Sequence, residues 1–113
     1  MGKLPPAYTR FQRTFRRVWT AYDHLGAAVH REGPLQPKFR ELIKLGIAIG
    51  GRLEGAVKAH TRLAVEQGAT KEEIRQVALL AITTSGFPTA MAALTWVDDV
   101  LSKRRGARKA KSR

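Results

Sequence analysis

The sequence predicts an all-α chain of about five helices, and three observations carry that expectation. Apolar residues recur at three- and four-residue steps along most of the chain, the spacing that lines one face of an α-helix. Glycine and proline clusters fall between these stretches, where a helix must stop. No segment alternates apolar and polar residues long enough to make a strand. At 113 residues, with 43% hydrophobic and 27% charged residues, the chain suits one folded domain with one core.

The first helix is read over residues 11–29, where Phe11, Phe15, Val18, Trp19, Tyr22, Leu25 and Val29 form the stripe. Arg10, Arg13, Arg16 and Arg17 lie on its other side. Such a pattern suits a basic helix lying on a membrane surface, but the density of aromatics at core spacing favours a solvated face opposite a buried one. Gly33, Pro34 and Pro37 end this pattern, and Pro37 suits the first turn of a second helix over 37–49. Gly50-Gly51 closes it. A third helix over about 53–67 stops at Gly68, a residue suited to a left-handed C-terminal position. The fourth opens at Thr70-Lys71-Glu72-Glu73, the pattern of a capping box, and runs to about Thr84. The turn Ser85-Gly86-Phe87-Pro88 leads to the fifth. Residues 74–82 are apolar nearly all round, which four neighbouring helices cannot cover, so a homo-oligomer is expected.

The net charge of +12 is unevenly spread. Residues 41–102 are nearly neutral, whereas KRRGARKAKSR at 103–113 holds seven basic residues and no acid. Like charges repel and leave nothing to bury, so residues 1–102 are expected as the helical domain and 103–113 as a basic disordered tail. That tail is suited to weak binding of nucleic acid or another polyanion, and equally to keeping the chain soluble. No apolar run reaches bilayer length, and MGKLPPAYTR lacks the apolar core of a signal peptide. A cytoplasmic protein with no membrane partner is therefore expected.

The chain has no cysteine and only three histidines, at 24, 30 and 60, without a close pair. Disulfides, thiolate metal sites and thiol redox chemistry are excluded, and neither a metal nor a cofactor is expected. Leu53, Ala56, Val57, His60, Leu63 and Ala64 share one face of the third helix, which turns His60 inward. Imidazole changes charge near neutral pH, so proton transfer is open to it, although a histidine on an apolar face also serves as an ordinary hydrogen-bonded core residue. Glu41 is the candidate carboxylate partner. Lys38 and Lys44, three residues to either side, offer it an ordinary surface ion pair as the alternative.

Over residues 35–101 the chain resembles the carboxymuconolactone decarboxylase family, which includes the alkylhydroperoxidase D-like proteins. The stretches that carry the resemblance are Ala59-His60-Thr61-Arg62-Leu63-Ala64, the helix start Gly68-Ala-Thr-Lys-Glu-Glu-Ile74, and Gly86-Phe87-Pro88. In the peroxidase branch a glutamate, two cysteines and a histidine stand at fixed intervals, and Glu41, Leu53, Ala56 and His60 occupy that frame here. The resemblance thus implies that Leu53 and Ala56 replace the redox cysteine pair. Neither can be a thiolate nucleophile, so the family's dithiol peroxidase activity is not expected.

The family also implies a trimer or hexamer. Three functional readings stay open. One is a cofactor-free decarboxylase or other enzyme of a small organic acid or lactone, with His60 as acid/base, Glu41 orienting it, and Arg40 or Arg52 holding a carboxylate. The second is a non-catalytic oligomeric scaffold that keeps the pair as a remnant. The third is a polyanion-binding protein that uses its tail.

Overall fold

The computed structural model describes residues 6–112, with side chains through Arg104. The regular elements among them are all helices: α1 (Pro6–Thr14), α2 (Arg16–Arg31), α3 (Pro37–Gly50), α4 (Glu54–Glu66), α5 (Lys71–Leu80) and α6 (Phe87–Ser112). The all-α expectation holds, with one helix more than expected. The extra boundary is at Phe15, whose φ of −122° and ψ of 59° leave the helical region and divide the segment 11–29 between α1 and α2. The residues there explain the break. Arg13 faces Arg16 and Arg17 at i+3 and i+4, where like charges oppose helix, and Thr14 and Phe15 are weak helix formers.

By its internal contacts the chain falls into two compact units, one holding α1 and α2, the other α3 to α6. In the first, Phe11 stacks obliquely on Phe15 with ring centroids 5.2 Å apart, and Trp19 lies 6.1 Å from Tyr22. Neither α1 nor α2 contains a buried residue. The stripe read from the sequence is present, but no core covers it.

In the second unit α4 folds back along α3, and α4 and α5 both pack on α6. Leu45, Ile49, Val57, Ile74 and Val97 are fully buried or nearly so, and Ala64, Ala78, Ala90 and Ala93 are completely buried among them. Alanines at these contacts let the helix axes approach closely. Each large aliphatic group removed from water contributes about 1.5–3 kcal/mol.

The helix ends follow from local chemistry. Pro37 occupies the first turn of α3. Gly68, at φ 92°, closes α4 as the Ala69 amide donates to Ala64 O at 2.9 Å and the Gly68 amide to Val65 O at 3.0 Å. At α5 the capping box is complete: the Glu73 amide donates to Thr70 Oγ1 at 3.0 Å and the Thr70 amide to Glu73 Oε1 at 2.8 Å. This helix ends at Leu80, short of the expected Thr84, and a run of turns reaches Gly86 at φ 109°.

In the basic segment the backbone of α6 is helical to Ser112. Lysine, arginine and alanine are good helix formers, and cations near a helix C-terminus are favoured by its dipole. Charge repulsion keeps such a segment solvated without unwinding it.

Candidate acid/base site

Glu41 sits one turn into α3 and is only 6% exposed. His60 lies near the middle of α4, its side chain 20% exposed. Because α4 returns along α3 after a connection of three residues, the two side chains meet, with His60 Nδ1 2.8 Å from Glu41 Oε1. With Glu41 ionised, its carboxylate can only accept, which places the proton on Nδ1 as the donor. The lone pair of the neutral ring then lies on Nε2. The His60 side chain keeps 20% of its surface exposed, so the ring is not fully enclosed. The arrangement sets an imidazole against a buried carboxylate that orients the ring.

Two lysines near the pair make ion pairs with other carboxylates. Lys38 reaches Glu73 on α5 at 2.9 Å. On the outer side of α4, Lys58 bridges Glu54 at 3.0 Å and Asp99 of α6 at 3.3 Å. Hydrogen bonds to Glu54 and then Asp99 hold its ammonium above the ordinary lysine range. Thr61, fully buried beside His60 in the sequence, satisfies its hydroxyl by donating to Val57 O at 2.7 Å.

Of the two positions in the family's cysteine frame, one is placed differently from the expected stripe. Leu53 is not on the inward stripe: it is the N-cap of α4 and 57% exposed. The backbone leaves the helix just before it, so helical periodicity does not extend to this residue. Ala56, in the first turn of α4, is half-buried and packs against the core. Of the two suggested carboxylate anchors, Arg40 is half-buried on α3. Arg52 donates from Nη1 to Thr89 Oγ1 at 3.3 Å, across to the first turn of α6.

Arg52 also has a feature that periodicity did not reveal. Its φ of 55° is left-handed, the position where α3 ends with the Leu53 amide on Ala48 O and the Arg52 amide on Ile49 O. Glycine usually occupies this place, and an L side chain there is strained. The sequence signal was Gly50-Gly51, one residue too early.

A second feature lies apart from the pair. An open apolar groove of about 330 Å3 runs between α3 and α5, lined by Leu42, Ile43, Val77 and Leu80 and floored by smaller residues such as Gly46 and Ala81. Neither Glu41 nor His60 lines it. Among the described residues no group of three or more His, Asp or Glu is placed to hold a metal ion, and no helix is long and apolar enough to cross a membrane.

Comparison with known proteins agrees with this architecture. The family model of the carboxymuconolactone decarboxylase family matches residues 14–99, which begins earlier than the resemblance over 35–101 and takes in all of α2. The chain is similar to the crystal structure of an apo carboxymuconolactone decarboxylase family protein from Legionella pneumophila. The TM-score is 0.72 at 25% identity, over 83% of this chain and 87% of that one. None of the curated proteins matches the chain significantly. With most of its length matched by the family model, and with a fold shared with a solved member, the chain belongs to the carboxymuconolactone decarboxylase family.

Proposed function

We propose that the protein is a cofactor-free acid/base enzyme acting on a small organic acid or lactone, in which His60 transfers the proton and Glu41 orients and polarises it. The supporting observation is the 2.8 Å contact between a nearly buried carboxylate and a histidine ring whose side chain is 20% exposed. In a decarboxylation the bond to the carboxylate breaks and its electron pair is left on the substrate carbon. Nε2–H of the imidazolium then delivers a proton to that carbon. In the opposite sense, neutral Nε2 removes a proton from carbon beside a carbonyl. In both directions the Glu41 carboxylate stabilises the charged ring. Leu53 and Ala56 supply no thiol, so the reading excludes dithiol peroxidase turnover. The working state is a cytoplasmic homo-oligomer, a trimer or hexamer.

The test is a panel of small lactones and of unsaturated and β-oxo acids, followed for CO2 release, ring opening and exchange of substrate protons with deuterium. A substrate that turns over should lose about 100- to 10,000-fold in rate on His60→Ala. Equal rates in His60→Ala and the unaltered protein would refute the role of His60.

A second reading, binding of nucleic acid or another polyanion, is supported by the seven basic residues at 103–113 and by the continuation of α6 as helix through Ser112. It expects retention on a DNA column that falls steeply with salt and is lost when residues 103–113 are removed.

A further inference from the structure

The chain leaves two apolar surfaces open. On α1 and α2, Tyr22 is 66% exposed, Val29 61% and Leu25 60%, with Phe11, Phe15 and Val18 also exposed. Helices of nine and sixteen residues that bury no side chain have little to offset the entropy of ordering them. They need a partner. The groove between α3 and α5 is the second surface, with Ile43 47% and Leu80 58% exposed on its walls.

From this we propose that α1–α2 of one copy of the chain seats its aromatic stripe in the α3–α5 groove of another copy, and that this exchange is the contact that assembles the protein. It does not depend on the enzymatic reading. Shape favours it, because a groove of about 330 Å3 whose lining includes the small residues Gly46 and Ala81 has room for an aromatic ring. Area favours it too. With large side chains presenting about 150–250 Å2 each when fully exposed, the half-exposed residues of the two surfaces amount to on the order of 1,000 Å2 per copy. A stable interface removes about 800 Å2 from each partner.

A lipid surface would also accept an aromatic stripe flanked by arginines. It would leave the groove open. The family match includes all of α2, which places that helix in the family's shared domain, where a separate anchor would have no need to be. One copy offers one stripe and one groove, so exchange in a two-fold pair or in a closed ring covers both at once.

The experiment is complementation between two defective full-length chains, followed by sedimentation. Tyr22→Glu with Leu25→Glu damages the stripe, and Ile43→Glu damages the groove; Leu80→Glu is the second groove variant. All four positions are at least 47% exposed, and circular dichroism confirms that each variant keeps its helices. The unaltered chain should associate, and each variant should self-associate about 30-fold or more weakly, the effect of losing a hot spot. An equal mixture of stripe and groove variants should associate again, since an intact stripe from one meets an intact groove from the other. The proposal is overturned if the mixture stays as weak as its components, which indicates stripe-to-stripe or groove-to-groove contact, or if the variants associate like the unaltered chain. It is also overturned if the unaltered chain is monomeric, whether or not it sediments with phosphatidylcholine–phosphatidylserine vesicles.

Discussion

His60 Nδ1 lies 2.8 Å from Glu41 Oε1, a contact between residues nineteen apart that joins α3 to α4. Glu41 is 6% exposed, so its hydrogen bond to His60 lies in a largely water-excluded place. His60→Ala and Glu41→Leu each remove this bond. Either change should destabilise the fold by about 1 kcal/mol or more in urea denaturation, the usual net worth of such a hydrogen bond. An unchanged midpoint in both variants would mean that the pair is not formed in solution.

The start of α5 offers a pH test. A hydrogen bond from the Thr70 amide, and then one from Lys38, hold the Glu73 carboxyl below the usual range. A depressed folded value means that Glu73 contributes stability above the unfolded carboxylate pKa, and that this contribution disappears as pH falls through the folded value. Glu73→Gln should therefore lower Tm at neutral pH and make less difference at acid pH, as the pH falls through the folded value and the native carboxyl is protonated as well. Thr70→Ala should cost about 1 kcal/mol at neutral pH through loss of the cap. Equal effects of Glu73→Gln at both pH values would exclude a charge-dependent cap.

Arg52 sets conformational strain against a tertiary bond. Arg52→Gly relieves the left-handed φ of 55° but loses the hydrogen bond to Thr89, whereas Arg52→Ala loses the bond and keeps the strain. The glycine variant should be more stable than the alanine variant by about 1–2 kcal/mol. Thermal denaturation of both measures this, and equal stabilities would show that the backbone relaxes out of the left-handed region.

Restoring sulfur tests the inherited frame. Leu53 caps α4 and Ala56 lies in its first turn. Leu53→Cys with Ala56→Cys places two thiols one turn apart at a helix N-terminus, where the dipole favours thiolate. In this otherwise cysteine-free chain, mild oxidation should remove both free thiols from the monomeric species by forming an intrachain disulfide. Persistence of two free thiols would put these positions out of register with the family's cysteine pair.

What could be read in advance depended on whether it was local. The capping box at Thr70 and Glu73 and the stop at Gly68 involve residues three to six apart, so sequence spacing alone specifies them. The Glu41–His60 pairing was reached through the family's spacing, and the short connection between α3 and α4 makes it physically reasonable. Leu53 was misplaced because a helical wheel was extended over a residue that precedes the helix. The left-handed Arg52 contradicts local preference and is held by helix-end amide bonds and by Thr89, which no window around residue 52 contains. The stripe of α2 was legible as apolar, but periodicity marks a face that avoids water without saying what covers it.

The measurement that bears most directly on the central claim is the tautomer of neutral His60, read from ring nitrogen shifts in NMR spectra of the 15N-labelled protein above the histidine titration. The account predicts a proton on Nδ1 and a bare Nε2, with that preference lost in Glu41→Leu. A proton on Nε2 in the unaltered protein, or a tautomer indifferent to the loss of Glu41, would contradict it.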